Sequence, residues 1–181
     1  MASVTPVDGK SGAETDLVAD LKDLAAASLA TAGGKALNLG RLAAAGFPVP
    51  PGFCLTTAAY RLAAPQEVAE IAARLDGMNG FDQEEQHDGG RGLPEEERNQ
   101  LARSARETMA AAPVPPEVEA AILEAYTAMG GGPVAVRSSA TSEDLPFASF
   151  AGQQDSFMDL AGPDAVVQAV RNCWVSLRDG T

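Results

Sequence analysis

With 181 residues, 45% of them hydrophobic, the chain has material for one domain with a real core, or for part of a larger one. Its formal net charge of −12 argues against nucleic acid as a partner, because a phosphate backbone needs clustered Lys and Arg, whereas a nucleotide needs only a few well-placed cations and amides. The two cysteines, Cys54 and Cys173, lie far apart without metal-ligand spacing, which excludes a disulfide framework or a zinc site and makes both small buried hydrophobes.

Residues 1–15 are small and polar and read as a disordered leader, with no basic start and apolar run of a secretory signal. Residues 16–181 read as one lobe. No segment has the apolar length to cross a bilayer, so a cytoplasmic setting without a membrane partner is expected. Apolar positions thicken from Asp16 to Leu29, and Thr31-Ala-Gly-Gly-Lys35 forms a small-residue loop. Lys35 to Ala45 then carries Leu39, Leu42 and Ala43 at helical spacing and stops at Gly46. Phe47 to Gly52 is a proline-rich turn, Phe53 to Thr56 a short buried strand, and Thr56 or Thr57 caps a helix through Leu62.

An amphipathic helix from Pro65 presents Val68, Ile71, Ala72 and Leu75 and ends at Gly77. Residues 77–94 are nearly devoid of apolar side chains and read as a mobile surface loop. Helices are expected over Glu95 to Ala112 and Pro116 to Met129, the second with Val118, Ile122, Ala125 and Met129 along one stripe. After Gly130-Gly-Gly-Pro133 come a strand Val134 to Arg137, a polar loop, and an extended stretch Ser149 to Leu160. Pro163 opens a last helix bearing Val166, Val170, Cys173, Trp174 and Leu177. Strands mixed with helices make the fold class α+β, with a small mixed or antiparallel sheet.

Four features are candidates for chemistry. Gly33-Gly34-Lys35 stands directly before a helix, where exposed amides and a lysine can cradle a phosphate; it is not a Walker A loop, and taken alone it is more simply a Gly-rich turn with a solvated lysine. Arg137, at the end of an apolar strand beside Ser138 and Ser139, offers a planar fork either to phosphate or to Glu143 and Asp144 of its own loop. The loop Thr141 to Pro146 groups hydroxyls and carboxylates able to position a metal-bound triphosphate, or simply a polar surface. Ala151-Gly-Gln-Gln-Asp-Ser156 can lay backbone along a ligand, or form the polar face of an exposed strand. The only histidine, His87, lies in the hydrophilic 77–94 stretch and builds no catalytic triad.

Taken together, Gly33-Gly-Lys-Ala-Leu-Asn-Leu-Gly40, Ala45-Gly-Phe-Pro-Val-Pro-Pro-Gly-Phe53, Val136-Arg-Ser-Ser-Ala-Thr-Ser-Glu-Asp-Leu-Pro146 and Ala148-Ser-Phe-Ala-Gly-Gln-Gln-Asp-Ser156 resemble, in order, the N-terminal ATP-binding domain shared by phosphoenolpyruvate synthases, rifampicin phosphotransferases and, more distantly, pyruvate phosphate dikinases. The resemblance implies an ATP-grasp-type fold in which Lys35 and Arg137 contact ATP phosphates and Gly152 and Ser156 line the nucleotide pocket. It implies ATP and Mg²⁺ as cofactors, no metal ligand and no catalytic residue among those present, and a phosphoryl group passed through a histidine domain to rifampicin or pyruvate. Phe53 to Thr57 and Gly152 to Ser156 lean towards the rifampicin branch. Ala36 departs from the family, which commonly has a second-loop glycine there.

Measured against that family the chain stops at Thr181 within the domain, so an incomplete catalyst is expected, with a separately encoded remainder as a possible partner. A non-catalytic binding or assembly module, and a relic without function, are the rival readings.

Overall fold

The computed structural model describes residues 16–79, 94–139 and 156–176. The expected leader, His87, the loop 141–146, Gly152 and Leu177 lie outside the described residues. In chain order the elements are β1 (Val18–Asp20), a 3-10 helix (Leu21–Ala26), α1 (Leu29–Ala44), β2 (Phe53–Leu55), α2 (Thr57–Ala63), α3 (Gln66–Asn79), α4 (Glu95–Ala111), α5 (Pro116–Ala128), β3 (Val134–Arg137), β4 (Ser156–Leu160) and α6 (Pro163–Ser176). Among the described residues the fold is α+β with two antiparallel two-stranded sheets, β1 with β2 and β3 with β4.

Most of the expected helices form at their expected places because each carries an apolar stripe and a local stop. α5 starts on Pro116, whose fixed φ suits the first turn, and α1 ends just before Gly46 at φ 84°. α3 departs from expectation: it runs through Gly77 to Asn79, since one glycine inside a helix costs only about 1 kcal/mol. β1 was not expected at all, and neither was the 3-10 helix, which Asp20 caps by accepting a 3.0 Å hydrogen bond from the Lys22 amide. Asp20 also pairs with the Lys22 ammonium at 3.0 Å, and these two contacts, the amide bond first, hold its carboxyl below the usual carboxylate range.

Two apolar clusters result among the described residues. The larger joins α2, α3, α4, α5 and α6 through Ala59, Val68, Ala105, Met109, Val118, Ile122, Val170 and Trp174. The smaller lies between the 3-10 helix, α1 and β2, and consists of Leu24, Ala32, Ala36 and Cys54. Gly40 lets α1 approach so closely that a Cβ there would come within 2.8 Å of Leu24 Cβ. β2 serves both clusters by strand alternation: Cys54 enters the smaller one while Phe53 and Leu55 pack against the larger. Its partner does the same, with Ala19 towards the smaller and Leu17, just before β1, towards the larger.

Tyr126 of α5 is 3% exposed, although the expected stripe passed through Ala125. Its hydroxyl lies 2.7 Å from Gly131 O and 3.0 Å from Gly132 O, and accepts from the Gly162 amide at 3.0 Å. One phenol therefore ties the entry to β3 and the exit from β4. Tyr126→Phe keeps the ring in the core and strips these bonds, leaving the Gly162 amide without its acceptor. Urea unfolding is expected to show a loss of about 1–3 kcal/mol, with an unchanged midpoint counting against this role.

Candidate functional site at the Gly33 turn and the end of β3

Helix α1 opens on Ser28, whose hydroxyl accepts from the Thr31 amide at 3.1 Å and lies 2.7 Å from the Thr31 hydroxyl. Five residues after Ser28, Gly33 leaves helical geometry, at φ 74° and ψ 167°. That region is open to glycine and strained for any residue with a Cβ. The helix resumes at once, so Lys35 stands near the start of a second helical run, as the sequence implied.

The break leaves groups on either side in need of partners. The Ala36 amide donates to Ser139 Oγ at 2.9 Å, across 103 residues of sequence. The Ala32 carbonyl accepts from the Cys54 thiol at 3.5 Å. Ser139 also presses its backbone onto the turn: a Cβ at residue 33 would sit 1.6 Å from Ser139 O, 2.5 Å from its carbonyl carbon and 2.8 Å from its Oγ. Glycine is the only residue this approach admits.

Ser139 follows β3 by two residues, so the same contact brings the end of that strand to the Gly33 turn. β3 alternates half-buried Val134 and Val136 with exposed Ala135 and Arg137. Arg137 is opposite Ser156 in the ladder. Between Val134↔Leu160 and Val136↔Phe157, β4 spends three steps against two on β3, a bulge that includes Asp159 at φ 54°. The Arg137 guanidinium reaches Met158 Sδ at 3.7 Å.

Three of the four expected site residues thus belong to one assembly: Lys35 on the turn, Arg137 at the strand end, and Ser156 across the ladder from it. The fourth, Gly152, lies outside the described residues, as do Glu143 and Asp144, the rival partners for Arg137. One expectation is corrected. The turn does not expose a row of bare amides, because Gly33 and Gly34 are buried and the Ala36 amide is engaged by Ser139. The exposed cationic groups here are the side chains of Lys35 and Arg137. Ser139 was visible in the sequence only as a neighbour of Arg137; its role depends on a contact that no local pattern encodes.

Among the described residues, no three His, Cys, Asp or Glu side chains come together to hold a metal ion. Two open surface depressions have other linings, one from Ala110, Phe157, Gln168, Arg171 and their neighbours, the other along α4 from Glu95 to Glu107. The two cysteines are buried, as expected, and burial pushes the Cys54 thiol up to about 11. Among the described residues no helix is long and apolar enough to cross a membrane.

The sequence pattern of the pyruvate phosphate dikinase AMP/ATP-binding domain matches residues 29–179. A rifampicin phosphotransferase of Streptomyces sp is 42% identical over 165 residues, covering 89% of this chain and 18% of that protein. A phosphoenolpyruvate synthase of Aeropyrum pernix is 40% identical over 173 residues, covering 91% of this chain and 20% of its own length. A probable phosphoenolpyruvate synthase of Methanothermobacter thermautotrophicus is 36% identical over 171 residues, covering 88% and 23%. The chain spans about a fifth of the length of these relatives.

Two outcomes are expected from the turn itself. Gly33→Ala forces both a strained φ and a collision with the Ser139 carbonyl, so it is expected to destabilise by at least about 1–3 kcal/mol, read from denaturant midpoints; a neutral substitution contradicts the described approach. Cys54 has a folded value raised from 9.0 to about 11, so its contribution is complete below pH 9.0 and disappears as pH rises through about 11. Stability measured across that window is expected to fall more steeply in the unsubstituted chain than in Cys54→Ala.

Proposed function

The chain belongs to the pyruvate phosphate dikinase AMP/ATP-binding domain family, and from that premise we propose that it is the ATP-binding portion of a dikinase-type phosphotransferase with an ATP-grasp-type architecture. In this reading ATP gives up its β-phosphoryl group to a histidine on a separate swivelling domain, not to His87; AMP leaves, and water takes the γ-phosphoryl group as phosphate. The histidine passes the phosphoryl group to rifampicin or to pyruvate. The setting is cytoplasmic.

The observation that carries the reading is the contact of Ser139 with Gly33 and Ala36, which holds the Lys35 turn against the strand end bearing Arg137. A triphosphate is a chain of negative charge, and its transfer chemistry asks for positioning and neutralisation more than for covalent help. Lys35 supplies a compact point charge and Arg137 a planar fork, two complementary ways of taking phosphate oxygens. Ser156, across the ladder from Arg137, adds a hydroxyl on the same ribbon. Mg²⁺ is taken to accompany the nucleotide with its ligands outside the described residues, among which no three His, Cys, Asp or Glu side chains come together.

A second reading is supported by a separate observation. Leu39 and Leu42 on α1 and Phe47 after it are 38%, 44% and 61% exposed. Such apolar surface suits a module that pairs with a separately encoded remainder.

The test is a thermal unfolding scan with and without excess MgATP, followed by fluorescence of Trp174, which is buried and meets Tyr60 edge-on at a centroid distance of 6.1 Å. At a ligand concentration of a hundred times Kd the folded state gains about 2.7 kcal/mol, enough to raise the midpoint by several degrees. The shift is expected to vanish in Lys35→Ala and in Arg137→Ala. A cooperative transition indifferent to MgATP sinks the reading.

A further inference from the structure

We propose that Ser139 is a positioning residue for this site, setting the separation between Lys35 and Arg137 that a polyphosphate must span. The inference rests on the ATP-binding reading above and adds a residue that acts through the two cations rather than by touching ATP.

Lys35 and Arg137 stand on elements anchored in different parts of the core. α1 is seated on the smaller cluster through Ala32 and Ala36, whereas β3 packs Val134 and Val136 against the larger one. Each cation is exposed and carried by a long side chain. If their backbones drifted relative to each other, a polyphosphate would have to order that motion on binding and would bind more weakly for it.

Ser139 joins the two backbones in two ways at once. Its hydroxyl accepts the Ala36 hydrogen bond, one residue beyond Lys35. Its carbonyl occupies the space that a side chain at residue 33 would take, two residues before Lys35. It lies itself two residues beyond Arg137. The link is therefore short on both sides, and its chemistry is demanding: residue 139 must present a short acceptor to a helix amide while its backbone packs on glycine. Alanine loses the acceptor. Threonine keeps it, and cysteine keeps the shape with a poor one.

The experiment compares binding of MgATP and of AMP to the unsubstituted chain, Ser139→Ala, Ser139→Cys and Ser139→Thr by calorimetry, with unfolding midpoints recorded without nucleotide. AMP carries a single phosphate and does not need the spacing between two cations. Ser139→Ala and Ser139→Cys are expected to weaken MgATP about tenfold, the size of one lost hydrogen bond, while AMP changes little and Ser139→Thr restores MgATP. A residue with a merely structural role would weaken both nucleotides together, in step with the midpoint, and that result overturns the proposal. So does undiminished MgATP affinity in Ser139→Ala and Ser139→Cys when Lys35→Ala and Arg137→Ala both weaken it, an outcome that leaves the ATP-binding reading standing. If the unsubstituted chain ignores MgATP, or binds it equally well without Lys35 and Arg137, that reading fails and takes this one with it.

Discussion

Residue 33 is a place where no side chain can exist. The backbone turns there to φ 74°, and the Ser139 carbonyl fills the position of the missing Cβ. The rest of the site follows from that one steric fact. Because the helix is interrupted, an amide and a carbonyl need partners, and a main-chain group left unpaired in a buried setting is costly. Ser139 serves the amide and Cys54 the carbonyl, so an irregularity in one helix becomes a fastening for β2 on one side and for the end of β3 on the other.

The fastening matters because the apolar interior is divided. A ribbon of two three-residue strands lies between the clusters and sends alternate side chains to each. Neither strand is long enough to be stable in isolation. The ribbon is kept by what it separates, and in turn it sets α1 relative to α2. The Thr56 hydroxyl strengthens this arrangement by donating to the Asp16 carbonyl at 2.5 Å instead of capping α2, so a residue legible as a helix cap works as a tie to the start of the ribbon. The site lies where the smaller cluster, the end of β3 and β4 come together, and its two cations come from opposite sides of the divide.

How much of this the amino-acid order discloses depends on the range over which each feature is determined. α5 and α6 were legible because Val118 and Ile122, or Val166 and Val170, repeat at helical spacing and Pro116 or Pro163 opens the run. A break near Gly33 was legible from consecutive glycines before a lysine, but the expected loop Thr31–Lys35 is helical apart from Gly33, and α1 starts already at Leu29. β1 was not, since three residues ending in an aspartate carry too little periodicity to declare a strand. The stop at Gly77 was misjudged because a glycine is a preferred cap and yet only a mild penalty inside a helix. Lys35 and Arg137 could be singled out from their neighbours and from family resemblance, but the meeting of the turn with the end of β3 could not. It runs through Ser139, and a contact across 103 residues has no local signature.

The phenol of Tyr126 has a consequence for how the two halves of the chain feel one another. Its ring belongs to the larger cluster, and its hydroxyl gathers Gly131, Gly132 and Gly162 at the two feet of the β3–β4 ribbon. The ribbon and the helical core are therefore linked equilibria that share a term in their free energies. Whatever occupant steadies the far end of the ribbon stabilises α5 through the same phenol, and by reciprocity a loosened α5 weakens the hold on that occupant. On the proposed ATP-binding reading, core substitutions remote from Arg137 would reach the nucleotide through a single oxygen atom.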